Sequence, residues 1–366
     1  MKYNETHKGY MEAAFKEAQK GIFSAAPNPS VGCVIVKDGN IIARGFHARH
    51  GTDHAEIVAL KKAGDKAEGG YCYVTLEPCN HYGKTGPCTK ALIASKVKAV
   101  IAAIGDPNPN VEGEGARCLR KAGIDVLLDV ETSYAEKFYK SYLFKVRNNR
   151  PLVKIKIGMS LDARSSMMSG ESKWITNHES REDVQFLRAE SCVILTGVGT
   201  VLKDDPSLNV RHPGIQMKGR QPRRVVLDSR LSIDKNAKVI TDGNNTSLFT
   251  CSQNNTLIET FEKMGCEVEV LSSRDNRVDL SSVFHKINKM QVNQVLVEAG
   301  SFLTSNILST TFWDELVLYV APKIMGKDAR SAIEVNSPQY LKQVTELELI
   351  DSAFFGQDAR LTYKRL

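Results

Sequence analysis

At 366 residues and 40.5 kDa the chain has room for two domains of ordinary size, and 42% apolar with 25% charged residues is a globular balance, which excludes a disordered or fibrous chain. The net charge of +7 suits phosphorylated small substrates and weak nucleic-acid contact alike, so charge decides between neither. No apolar run approaches the ~18–20 residues that span a bilayer, the N-terminus holds no apolar signal core, and the eight cysteines lack framework spacing, so reduced thiols in a cytoplasmic protein are expected.

Thr6 is placed to cap a first helix reaching Lys20, with Tyr10, Met11, Ala14, Phe15 and Ala18 on one stripe and Gly21 ending it. Val31 to Val36, the turn Lys37-Asp38-Gly39-Asn40 and the run from Ile41 predict a β-hairpin, because Asp-Gly between apolar runs is a strong turn signal. A helix opened by His54 stops at Gly64, and a strand over 71–78 leads into a cysteine-bearing loop. Pro87 suits the first turn of the next helix. Strand, helix, strand and helix then alternate from Lys98 to Val146. The pattern predicts a sheet that is largely parallel after its first hairpin, with helices on both faces.

The polar run from Arg147 to Pro151 marks a domain boundary, dividing residues 1–147 from 148–366. The second half is again α/β. It opens with a strand from Leu152, followed by a helix from His178 to Glu190 and a strand from Cys192. Further strands are expected at 223–229, 247–252, 266–271 and 294–300, and helices at 256–265 and 282–290. Two β-rich stretches, 315–326 and 359–366, close the chain, and Ser272 to Asp279 reads as a polar loop.

His54-Ala55-Glu56 followed by Pro78-Cys79 and Pro87-Cys88 carries the clearest chemistry. One imidazole and two thiols leave the fourth position of a tetrahedral zinc open, as in catalytic sites; structural sites close with four protein ligands. Glu56 suits a proton shuttle working on a zinc-bound water. Residues two apart diverge in mid-helix, so His54 and Glu56 converge only at a helix's first turn. Cys88 also stands at a helix start, where partial positive charge favours a thiolate. A closed zinc knot completed by Cys72 or His81 is the alternative, and it leaves Glu56 without a role.

The second half says less locally. Thr196 to Val201 (TGVGTV) has a Gly-x-Gly after a strand, but lacks the third glycine and the acidic residue of a dinucleotide fingerprint. VEAGSFLTSNIL is a strand–helix junction able to hold a phosphate on backbone N–H groups, and many α/β folds make it without a ligand. Lys156 reads equally well as a strand lysine facing solvent.

His-Ala-Glu with Pro-Cys and a second cysteine resembles the cytidine and nucleobase deaminase superfamily. Most of its members space the cysteines C-x-x-C, whereas eight residues separate Cys79 from Cys88. With that spacing, APNPSVGCVIV upstream and DPNP at Asp106, the first half resembles the deaminase half of the bifunctional deaminase–reductases of riboflavin biosynthesis. KIKIGMSLDARSS, SGESKWITN, LRAE, TVLKDDPSLNVR, VVLDS, VEAG and VAPKIMG follow the order of that family's reductase half, which is similar in fold to dihydrofolate reductase. The resemblance covers essentially the whole chain.

It implies an α/β protein with an N-terminal cytidine-deaminase-like three-layer domain and a C-terminal dihydrofolate-reductase-like domain. It implies one catalytic zinc on His54, Cys79 and Cys88, with Glu56 moving protons, and NADPH in the second half. The implied reactions are hydrolytic removal of the 2-amino group of a diaminopyrimidinone ribosylamine phosphate, then reduction of the ribosyl group to ribityl. Asn28, His47, Lys84 and Asp106 would contact the first substrate. Ser172, Arg188, Leu208, Arg211 and Glu298 would contact the second. The cofactor would meet Gly158, Trp174, Thr200, Asp204, Ser229 and the run Gly300, Ser301, Phe302, Leu303, Thr304, Ser305 and Asn306. Lys156, Asp204 and Glu298 are the polar groups expected to support hydride transfer, with their roles undivided. The family usually has proline at Gly86 and glycine at Ala163. The expected partners are a small pyrimidine ribotide and further copies of the chain, with no nucleic acid and no membrane; a tRNA-type deaminase with an accessory domain is the rival.

Overall fold

The computed structural model describes residues 3–83, 85–109, 111–243 and 245–366. The chain forms two compact units. The first holds the chain up to Arg150 together with Gln216–Arg220, and the second holds Pro151–Ile215 and Gln221–Leu366.

In the first unit α1 (Glu5–Gln19), β1 (Gly32–Lys37), β2 (Asn40–Phe46), α2 (Ala55–Ala63), β3 (Tyr71–Val74), α3 (Cys88–Ala94), β4 (Ala99–Ala102), α4 (Glu114–Lys121), β5 (Asp125–Leu127), α5 (Thr132–Phe138) and α6 (Lys140–Asn148) succeed one another. The sheet order is β2-β1-β3-β4-β5, with β1 antiparallel to both neighbours and β3, β4 and β5 parallel. Asp38 and Gly39 take positive φ (50° and 75°), the turn whose twist matches that of the flanking strands. Strand residues alternate between two cores: Cys33, Ile35, Cys72 and Val74 pack against α2, α3 and α4, while Val34, Val36, Tyr73 and Ile101 pack against α1, α5 and α6. This is the expected three-layer domain.

Two local expectations change. Asn4 rather than Thr6 caps α1, its side chain accepting from His7 N. The single helix expected over 132–146 is broken at Tyr139 (φ −97°, ψ 15°), whose hydroxyl is bound to Thr75 Oγ1 and Ser30 O.

The second unit comprises β6 (Leu152–Ser160), β7 (Arg164–Ser166), α7 (His178–Glu190), β8 (Val193–Gly197), α8 (Val198–Asp204), β9 (Arg223–Leu227), α9 (Lys238–Thr241), β10 (Thr246–Thr250), α10 (Asn255–Lys263), β11 (Glu267–Val270), β12 (Ser273–Arg274), β13 (Arg277–Val278), α11 (Leu280–Lys289), β14 (Gln294–Val297), α12 (Ser301–Leu308), β15 (Glu315–Ala321), β16 (Arg330–Ser331), β17 (Leu347–Phe355) and β18 (Asp358–Arg365). Among the described residues the main sheet has nine strands, in the order β11-β10-β9-β8-β14-β6-β15-β18-β17. It is parallel from β11 to β15 and antiparallel over its last two pairings. β14 is buried along its whole length, as a central parallel strand covered on both faces must be.

Here too the structure corrects the sequence reading. Ser272 to Asp279 is a β-hairpin: β12 pairs with β13 across Asp275 and Asn276, both left-handed (φ 53° and 57°). TGVGTV runs directly into α8. β17 escapes a periodicity reading because neither of its faces is buried, as befits an edge strand.

Candidate active sites

His54 is the N-cap of α2, in extended backbone (φ −71°, ψ 161°), and its side chain makes no capping bond. Its ring faces the cysteine loop, with Nδ1 3.5 Å from Cys79 Sγ and 3.3 Å from Cys88 Sγ. The three donor atoms lie within 4.8 Å of one another, and among the described residues neither Cys72 nor His81 joins them. Cys72 instead meets Cys33 in the core, Sγ to Sγ 3.5 Å. One imidazole and two sulfurs fit a zinc with an open position, and the closed knot is not formed.

The long cysteine gap is clasped at its base. Cys88 N donates to Cys79 Sγ (3.5 Å), Thr89 N to Cys79 O (3.2 Å) and Thr89 Oγ1 to Asn80 Oδ1 (2.7 Å). The side-chain hydrogen bond with Cys88 outweighs burial and holds the Cys79 thiol down to about 4. Glu56, at the second position of α2, is 3% exposed, and burial raises its pKa. A carboxyl so placed suits uptake and return of a proton.

Two glycines permit this assembly. A Cβ on Gly45 would lie 2.3 Å from Ala55 O, so only glycine lets α2 rest on β2. A Cβ on Gly115 would lie 2.0 Å from Pro78 O, beside Cys79.

Of the four residues expected at the first substrate, two converge on the metal ligands. The His47 ring meets that of His54 edge-on at 5.3 Å, and its Nε2 lies 3.1 Å from Asn28 Nδ2. His47 Nδ1 lies 3.1 Å from Asp53 O, a carbonyl that can only accept, so the ring proton sits on Nδ1 and Nε2 accepts from Asn28. Burial lowers the pKa of His47 and keeps it neutral. Asp106 is buried, and its carboxylate accepts from Tyr142 OH (2.9 Å) and Asn108 N (2.9 Å). Lys84 lies outside the described residues.

Sequence reasoning missed Glu77. Its buried carboxylate accepts from Asp106 N (3.3 Å), Gly113 N (3.2 Å) and Ala116 N (3.0 Å), holding the start of α4 against the Pro78-Cys79 turn. A lone glutamate before Pro-Cys has no periodic signature; only the fold reveals its partners.

The second site is a cleft of ≈1750 Å³ within the second unit. Lys156, Gly158, Ser172, Trp174, Arg188, Thr200, Asp204, Leu208, Arg211, Ser229 and Glu298 line it, as do Gly300 to Thr304 and Asn306. Ser305 does not: it is buried, and its Oγ accepts from Glu334 N (2.7 Å). Lys156 is no solvent-facing lysine; its Nζ lies 3.4 Å from Glu298 Oε2. Arg188 donates to both oxygens of Glu298 (Nε 2.6 Å, Nη2 3.0 Å) and to Asn209 O (3.2 Å). Burial alone would raise Glu298, but the Arg188 and Lys156 charges prevail and bring it to about 2. Glu298 is therefore a fixed anion, and the guanidinium of Arg188 is committed to it. Arg211 is the more exposed arginine of the two.

A dinucleotide fits the rest of the cleft. α12 begins at Gly300 with no side-chain cap, which leaves first-turn N–H groups for an anion. Thr200 Oγ1 accepts from Gly300 N (3.1 Å) and fixes that turn. Trp174, left-handed at φ 66°, is 63% exposed, with the Arg181 guanidinium 4.1 Å from its ring centre. Ser229 Oγ accepts from Val278 N (3.0 Å), so the unexpected hairpin forms part of the same wall. Ala163 stands off the cleft, exposed and left-handed at φ 58°.

Residues 151–361 match the RibD C-terminal domain, and residues 4–104 match the cytidine and deoxycytidylate deaminase zinc-binding region. The riboflavin biosynthesis protein RibD of Escherichia coli (strain K12) is 40% identical over 362 residues, 96% of this chain and 97% of that protein. The chain belongs to the RibD family. Among solved structures, Acinetobacter baumannii RibD (form 1) is similar over 99% of both chains, with a TM-score of 0.90 and 37% identity. A diaminohydroxyphosphoribosylaminopyrimidine deaminase/5-amino-6-(5-phosphoribosylamino)uracil reductase of Thermotoga maritima also matches over 99% of both chains, with a TM-score of 0.85 and 31% identity. As a RibD family member the chain joins a zinc-dependent deaminase to an NADPH-dependent reductase in riboflavin biosynthesis. The tRNA-deaminase rival is not favoured, since the reductase match takes up more than half of the chain.

Proposed function

We propose that the first unit hydrolyses the 2-amino group from 2,5-diamino-6-ribosylamino-4(3H)-pyrimidinone 5′-phosphate, and that the second reduces the ribosyl group of 5-amino-6-(5-phosphoribosylamino)uracil to ribityl. The observation that carries this reading is the open His54–Cys79–Cys88 set beside buried Glu56, on the same chain as the Lys156–Glu298–Arg188 cleft. His54, Cys79 and Cys88 would hold the zinc, which when bound supplies a Lewis acid that makes water acidic near neutrality. Glu56 takes the water's proton and returns protons to the ring nitrogen and the departing amine. Asn28, His47, Asp106 and Lys84 orient the pyrimidine or its phosphate.

In the second unit the start of α12 and the Trp174 and Ser229 walls would hold NADPH, which when bound would provide a hydride for the ribose C1′. Opening the sugar also needs a proton at the ring oxygen. Glu298, at about 2, carries none to give, so Lys156 is the donor and Glu298 its anchor. Arg211, with Ser172 and Leu208, receives the substrate phosphate, while Arg188 acts through Glu298. Asp204, at the end of α8, shapes the cofactor side.

We further propose that the protein acts in the cytoplasm as a homo-oligomer, on a free ribotide rather than on nucleic acid. No helix among the described residues is long and apolar enough to cross a membrane. The test is to supply the diaminopyrimidinone ribotide with and without NADPH and follow products by mass. Ammonia loss is expected without NADPH, and addition of two hydrogens only with it. Ammonia loss from tRNA but not from the ribotide would overturn the substrate assignment.

A further inference from the structure

The hairpin at Ser273–Val278 is tied down on all sides. Val278 is buried in the sheet's core, Val278 N donates to Ser229 Oγ (3.0 Å), and Asp279 N donates to Ser272 O (2.9 Å). Asp279 also caps α11 through Ser282 N (3.0 Å). The hairpin presents Arg274 and Arg277 directly opposite each other in the β12–β13 register, both exposed and both lining the cleft. Like charges directly opposite in an antiparallel pair repel, which destabilises the pairing. Among the described residues neither guanidinium has a carboxylate at ion-pair distance to offset this. The guanidinium of Arg277 is further positioned 3.9 Å from the Phe302 ring centre, at the first turn of α12.

The place of the hairpin along the cleft says what anion it meets. Lys156, at the reacting end, is on β6, whereas Ser229 and the hairpin tied to it lie beyond the end of β9. β9 stands three strand positions from β6 in the sheet, about 14 Å at the ~4.8 Å spacing of neighbouring strands. A dinucleotide with its nicotinamide by Lys156 and its diphosphate by the start of α12 brings its adenosine to that wall. The one group that distinguishes NADPH from NADH there is the 2′-phosphate, a dianion that two unpaired guanidinium groups are suited to clasp. We propose that Arg274 and Arg277 receive the 2′-phosphate of NADPH and set the preference for NADPH over NADH. The inference rests on the reductase reading, and it assigns a role to side chains that the sequence reading left in a loop.

Calorimetric titration of the full-length protein with adenosine 2′,5′-bisphosphate and with 5′-AMP tests it. The wild type should bind the bisphosphate more tightly. The Arg274→Gln/Arg277→Gln protein should lose roughly 10- to 100-fold for the bisphosphate, as loss of charge-assisted bonds predicts, with 5′-AMP affinity little changed. Each single variant should lose part of that, and circular dichroism should show the fold intact. An equal loss for both nucleotides, or no loss for either, overturns the proposal. A wild-type protein that binds NADPH no better than NADH, while still reducing with either, overturns it but leaves the reductase reading standing. Failure to bind either dinucleotide overturns both.

Discussion

Glu56 and Ala163 are two single residues whose surroundings dictate opposite kinds of experiment. Glu56 is buried beside the metal ligands, so Glu56→Gln keeps shape and hydrogen bonding but removes the proton carrier. Zinc content should stay at one per chain by atomic absorption, while ammonia release falls by about 10²–10⁴, the usual contribution of general acid–base catalysis. Unchanged ammonia release would remove Glu56 from the mechanism. Ala163 pays for a left-handed backbone at φ 58° that glycine adopts without its Cβ clash. Ala163→Gly should therefore stabilise the protein by about 0.5–1 kcal/mol, after the extra entropy of glycine in the unfolded chain is counted. A raised urea midpoint at constant slope is the readout.

Among the elements, α4 shows how a site depends on a helix that contributes no ligand. Its first turn is held by the Glu77 carboxylate, and Gly115 lets it touch Pro78. Glu77→Ala leaves those buried N–H groups unpaired, which costs about 1–3 kcal/mol each at most before water relieves it. The expected outcomes are a lower melting temperature and faster loss of zinc to a chelator, because the turn carrying Cys79 is loosened. Wild-type chelation kinetics would make Glu77 a cap for α4 and nothing more. The hairpin β12–β13 carries the complementary lesson. Asp-Asn at its turn is a left-handed pair like the Asp-Gly of β1–β2, but its strands are two residues long and lack an apolar run to announce them.

For the whole molecule, the two active sites answer differently to acid and to metal removal. Glu298 is held at about 2 in the folded protein against an ordinary 4.5, so the unfolded chain binds its proton first as pH falls. Its contribution, roughly 3 kcal/mol, is present above about pH 4.5 and is lost as pH falls towards 2. Glu56, raised by burial, has the opposite sign, and its folded state gains as pH falls through its pKa. Trp174 and Trp313 are the two tryptophans of the chain and both lie in the second unit, so fluorescence isolates that unit's unfolding. Its urea midpoint should fall as pH is lowered from about 5 to about 3. Chelation should stop ammonia release and leave reduction of a supplied aminouracil ribotide intact. Loss of both would contradict a metal confined to the first unit.

Local rules sufficed where neighbours in sequence are also partners in space. The β1–β2 turn, the limits of α7 and the placing of His54 at a helix start follow from short-range sterics and periodicity. The zinc set was legible because its residue types have few other uses in that order. What only the tertiary structure decided involves partners 29 to 110 residues apart in the chain. Arg188 and Glu298 read as separate site residues, and the fold brings the two, 110 positions apart in the chain, into one buried pair. Ser305 sits in a cofactor-like run yet turns its hydroxyl to Glu334. Ser229 joins the hairpin 49 residues later and makes a binding wall of a polar loop. A charge pair's partner is chosen by burial and long-range packing, and neither has a period in the sequence.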